Sequence, residues 1–74
     1  MPYVVHLDWG IDKYFHSHTK ARMYLFRTYV ADCDKSHEDD VRIAAAWRDM
    51  METDAIDCFG AIYPFEFEDD GYED

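Results

Sequence analysis

The 74-residue chain holds only three glycines, two prolines and two cysteines, and each scarcity removes a class of protein. Three glycines, none clustered, leave no Gly-rich loop to cradle phosphates, and no nucleophile elbow occurs. Cys33 and Cys58 are too few for the dense disulfide framework of small secreted domains. They are expected to be reduced and buried, with a Cys33–Cys58 bond or a shared metal as the alternative. No apolar run approaches the roughly 20 residues that cross a bilayer. The opening MPYVVHLDWG has no basic segment leading into an apolar signal core, so the expectation is a soluble, cytoplasmic protein. Cations are scarce as well: seven Lys and Arg face seventeen Asp and Glu, a net charge of -10, which argues against direct binding of nucleic acid or anionic lipid.

Apolar material is plentiful. Hydrophobic residues make up 49 % of the chain and aromatics 18 %, enough for the core of one domain spanning residues 1–74, with Trp9 and Trp47 among the large fillers. A chain of this size buries only about 60–70 % of the surface that its unfolded form exposes. Such a domain has little interior to give to a substrate cavity of several hundred Å3, so a non-catalytic protein without cofactors is expected.

The acids are unevenly placed. Residues 1–33 carry four cations against three acids, net +1, whereas residues 34–74 carry three cations against fourteen acids, net -11. Like charges held close together repel, so this concentration calls for a reason beyond solubility, although a solvated face is the plainest one.

Residues 3–9, YVVHLDW, alternate apolar and polar types as a half-buried strand does, and Gly10 ends the run. Residues 17–33 read two ways. On a helical wheel Met23, Leu25, Phe26, Tyr29, Val30 and Cys33 share a broad arc interrupted by Arg22, while a strand reading leaves no clean polar face, so helix is preferred. Ser36 and Asp39 fit a capping box ahead of a helix over about 37–53, with Glu38, Asp39 and Asp40 in the first turn, where the helix dipole favours them. Its inward arc is expected to be Ile43, Ala44, Trp47, Met50 and Met51, and its outer face an acidic ridge of Glu38, Asp49 and Glu52 with Arg42 near. Residues 55–59 make a connection or short strand, Gly60 a turn, and AIYPFEFE at 61–68 a strand that Pro64 places at a sheet edge or bulge. The fold class is therefore α+β: a small antiparallel sheet of an N-terminal strand and one or more C-terminal strands, packed against one or two helices.

The last ten residues, FEFEDDGYED, combine six carboxylates with three aromatic rings. In an extended segment Phe65 and Phe67 point one way and Glu66 and Glu68 the other, so buried rings would hold the acids in a fixed array. Carboxylates two apart on a strand stand about 7 Å apart, and those three or four apart on a helix about 5–6 Å. Duplex DNA carries a phosphate about every 3.4 Å along each strand, so a stiff array of this kind would suit the same Lys- and Arg-lined grooves. The expected partner-binding residues are Glu38, Asp49, Glu52, Glu66, Glu68, Asp69, Asp70 and Tyr72, the last as an aromatic able to stack on guanidinium groups.

With its small size, α+β pattern and acids arrayed on a helix and a strand, the chain resembles the phage-encoded DNA-mimic inhibitors, and is most similar in character to small anti-CRISPR proteins. That resemblance implies an inhibitor that blocks DNA recognition by occupying the basic DNA- or PAM-reading surface of a CRISPR effector complex, in the host cytoplasm. The alternative is an acidic adaptor or structural subunit that binds a basic protein without inhibiting it, and a third is a small metal-binding or enzymatic domain. For the last, His16 and His18 have H-x-H spacing, and His6, His37, Cys33 and Cys58 would have to complete a zinc site, but no CxxC or HxxxH pair supplies a local chelate. Asp34, Glu38 and Asp40 lack the glycine at the sixth position and the glutamate at the twelfth that an EF-hand requires.

Overall fold

The computed structural model describes residues 2–33 and 37–65, with the backbone alone for 37–39. Its elements run β1 (Tyr3–Leu7), β2 (Asp12–Phe15), α1 (His18–Asp32), α2 (His37–Thr53), β3 (Ala55–Ile56) and β4 (Gly60–Pro64). The strands form one antiparallel sheet in the order β2-β1-β4-β3. The chain is thus an α+β fold, with the first and last strands paired at its centre.

β1 turns into β2, a strand the sequence reading did not anticipate, through Asp8, Trp9 and Gly10. The Gly10 N–H donates to the Leu7 carbonyl at 2.8 Å, and the Leu7 N–H donates to the Ile11 carbonyl at 2.9 Å. This closure requires a left-handed residue, and Gly10 supplies it at φ 92°. Tyr3, Val5 and Leu7 lie on the face that also carries Phe15, Ile62 and Gly60, their partners in register. Val5, Leu7, Phe15, Ile56, Phe59 and Ile62 join Ala21 and Leu25 of α1 and Ala46 and Met50 of α2 in the core.

Helix is the outcome for residues 18–32. Ser17 caps it, its hydroxyl accepting from the Lys20 N–H at 3.3 Å. The buried face is Ala21 and Leu25, flanked by Tyr24, Phe26 and Tyr29, whereas Met23 is 43 % and Val30 36 % exposed. α2 spans the expected residues but is turned relative to the expected arc. Ala46 and Met50 point inward, Ile43 is half-buried, and Ala44, Trp47 and Met51 are exposed. The rotation is a little under one residue step of about 100°. Ala46 and Met50 are the residues that join the core cluster, and Asp54 ends the helix in left-handed geometry at φ 56°.

Gly60 opens β4 rather than making a turn. A Cβ there would lie 2.9 Å from the His6 carbonyl oxygen and 3.0 Å from Leu25 Cδ1, so the bare backbone is what lets α1 settle onto the β1–β4 pair. Pro64 sits in an interior strand, yet its missing donor costs nothing. The Phe65 N–H donates to the Pro2 carbonyl at 2.8 Å, which by alternation aims the Pro64 nitrogen at the opposite side, and β3 reaches only as far as Ala61 there. Among the described residues both cysteines are free, Cys33 half-buried at the end of α1 and Cys58 exposed, so the expectation of burial fails for Cys58. Cys58 occupies the turn between Ile56 and Phe59 at φ 58°, which carries it outward. No helix among the described residues is long and apolar enough to cross a membrane.

Candidate interaction surface

Of the eight residues expected to bind a partner, Asp49 and Glu52 can be placed in full: both are exposed on α2. They stand three residues apart, a spacing that makes helical side chains neighbours at about 5–6 Å between Cβ atoms. Glu38 belongs to the first turn of α2, but its side chain lies outside the described residues, as do Glu66, Glu68, Asp69, Asp70 and Tyr72 entirely. Asp40 on α2 and Asp57 in the turn after β3 are exposed too, but at about 100° per residue Asp40 stands on the side of the helix opposite Asp49. Arg48 is exposed on the same helix, so the ridge is less uniformly negative than the wheel suggested.

Phe65 is half-buried, its ring centroid 4.9 Å from that of Tyr14, while Phe67 and the acids that the two rings are expected to anchor lie outside the described residues. The contact falls on the sheet face opposite the helices, where the alternation from Ile62 through Tyr63 places it together with Val4 and the 52 %-exposed Tyr63. His6 and Asp12, paired across β1 and β2, face the same side, with Nδ1 2.6 Å from Oδ1 and both side chains close to half exposed. In so open a setting the pair contributes little to stability.

Residues 1–33 do not gather their cations into one patch. Lys20 and Arg27 line an open hollow on the outer side of α1 with Phe15, Met23, Tyr24, Thr28 and Ala31. Arg22 turns away from them and donates from Nε to Asp54 Oδ1 at 3.0 Å. His18 Nε2 reaches the same oxygen at 2.9 Å, and its ring stacks on Tyr3 with centroids 4.5 Å apart and planes 11° from parallel. Because a carboxylate only accepts, Nε2 carries the proton in this arrangement. Asp54 thereby joins α2, β4 and α1. Its N–H donates to the Met50 carbonyl at 2.9 Å, its own carbonyl accepts from the Ile62 N–H at 2.7 Å, and its side chain holds α1. A His and an Asp in contact resemble half of a catalytic relay, but here the imidazole is committed to a stack and a structural carboxylate. Of the H-x-H pair, His18 is so engaged, and His6 is on Asp12. Among the described residues no three His, Cys, Asp or Glu side chains are placed to hold a metal ion.

Sequence reasoning missed the Asp54 junction and the apolar strip left open between the helices. A signal for the first was present: α2 ends in Thr53-Asp54 with neither glycine nor asparagine to adopt the left-handed turn, and Asp is the next residue type to tolerate it. The strip is made of Met23 and Phe26 on α1 with Ile43, Ala44 and Trp47 on α2, and Asp40 at its margin. Phe26 and Trp47 meet edge to face there, their centroids 4.7 Å apart. No protein-family description, curated protein or solved structure matches the chain.

Proposed function

We propose that the chain is a non-catalytic, protein-binding inhibitor that presents an acidic surface to a basic, nucleic-acid-binding cleft, with a CRISPR effector complex as its target. The observation that carries this reading is the pair of exposed carboxylates Asp49 and Glu52 on a rigid helix, within a stretch, residues 34–74, that holds fourteen of the seventeen acids. A preordered anionic surface is steered toward a cationic cleft and loses little conformational freedom on arrival. The second reading, an acidic adaptor that binds a basic protein without blocking it, is favoured by the exposed apolar side chains of Met23, Trp47 and Met51, which imitation of a polyphosphate does not require.

Displacement of a fluorescent target duplex from a purified CRISPR effector separates the two. The inhibitor reading expects displacement that fades steeply as salt rises. It also expects displacement to be lost in an Asp49→Lys/Glu52→Lys variant and in a Glu66→Lys/Glu68→Lys/Asp70→Lys variant whose circular dichroism is unchanged. Undiminished DNA binding at any protein concentration overturns it in favour of the adaptor.

A further inference from the structure

The strip between the helices has the form of a receiving groove. α1 and α2 run antiparallel, so that Thr19 lies level with Met51, Met23 with Trp47, and Phe26 with Ile43. Positions 40, 44, 47 and 51 on α2 and positions 19, 23 and 26 on α1 follow the i, i+4, i+7, i+11 spacing by which a helix seats its side chains against a neighbour. Each helix therefore offers to the same side one seam that no other described residue fills. From Asp40 to Met51 the groove runs about 16 Å at 1.5 Å per residue, close to three helical turns. Its main hollow measures about 530 Å3. Met23 and Met51 are each 43 % exposed and Trp47 39 %, a large apolar area for so small a domain to leave in water.

Charge decides what fills it. Asp40 is the charged side chain of the main hollow, and Arg22, which borders the adjoining one, is already engaged by Asp54 at 3.0 Å. A second copy would bring another ten negative charges, and residues 66–74 of the same chain carry six acids and no cation, so both are repelled from Asp40. We propose that the groove between α1 and α2 docks a cationic amphipathic helix of a partner protein. Leu- or Met-type side chains of that helix cover Phe26 and Trp47, and one of its Arg or Lys residues pairs with Asp40. Methionines on both walls let the groove adjust to side chains of different shape. The partner is basic, as in the function proposed above, but here it is held through apolar contact beside the acids and not by imitation of a phosphate backbone.

The test uses a fluorescently labelled 18-residue peptide with leucines at i, i+3, i+4 and i+7 and arginines elsewhere, and a matched peptide with glutamate in place of arginine. Anisotropy is read at about 0.3 M salt, where long-range attraction is screened. The arginine peptide is expected to bind the full chain and the glutamate peptide not to. Trp47→Ala, and Ala44→Lys at an exposed helical position that tolerates lysine, should each weaken binding at least about tenfold, as removal of a central anchor does. Asp49→Lys/Glu52→Lys, outside the groove, should change it less than about threefold. Equal affinity for wild type and Ala44→Lys overturns the proposal, as does equal affinity for the two peptides. So does sedimentation as a dimer that Ala44→Lys dissociates, which would make a second copy the occupant. Peptide binding without DNA displacement leaves the groove standing and removes the inhibitor reading, and displacement without peptide binding does the reverse.

Discussion

α1 and α2 are similar in length and are held in different ways. α1 packs against β1, β2 and β4, and its Leu25 is fully buried over the glycine that makes room for it. α2 touches the sheet only through two-residue β3 and otherwise leans on α1. Its inward residues Ala46 and Met50 are buried, while Ala44, Trp47 and Met51 face solvent. α1 carries Lys20, Arg22 and Arg27 against one acid, Asp32, and α2 carries five acids against Arg42 and Arg48. One helix completes the scaffold and the other is displayed by it. The proposed partner surface lies on the second, where substitutions cost the fold least.

The largest expected effect sets buried against displayed positions. Leu25→Ala should lower the unfolding free energy by about 2–5 kcal/mol, the range for a fully buried leucine, and Met51→Ala by less than about 1 kcal/mol, both read by urea denaturation. Equal losses would erase the distinction between the helices. Next comes the junction that joins them. Asp54→Asn keeps a residue tolerant of left-handed geometry but removes the charge that Arg22 and His18 share, and should cost about 1–2 kcal/mol. Hydrogen exchange should then quicken in the last turn of α2 more than in the middle of α1, and uniform quickening would show that Asp54 does not fasten α2 in particular. The smallest effect is a gain. Cys58 at φ 58° pays the left-handed penalty that glycine escapes, so Cys58→Gly should raise stability by roughly 0.5–1 kcal/mol, visible as a higher thermal midpoint. A lower midpoint would mean that the turn depends on the cysteine side chain.

What could be read from the sequence was the part governed by local periodicity and helix propensity, while the Ser36–Asp39 capping box lies outside the described residues. The alternation in YVVHLDW placed β1, and the acids and alanines of residues 37–53 placed α2 with its bounds. β2 escaped notice because four residues, Asp12–Phe15, are too few for a pattern, and it becomes a strand only by pairing with β1. The facing of α2 differs from the wheel because a wheel shows which side chains cluster but not which of them tertiary contact turns inward, here Ala46 and Met50. Gly60 was read as a turn residue, since close approach of Leu25 and the His6 carbonyl leaves no local trace. For the candidate site, the exposed acids of α2 were legible from composition. The apolar groove was not, because Met23, Trp47 and Met51 look like core residues until the helices are set side by side.

Pro64 has a consequence of another kind. Beyond Ile62, whose N–H is taken by the Asp54 carbonyl, no described residue pairs with the outer border of β4, and an unpaired strand border invites a strand from another molecule to add to it. A proline at that spot offers no N–H to the newcomer and so interrupts the ladder at its first rung. Proline at an open strand border is one of the ways by which sheet proteins discourage such edge-to-edge pairing.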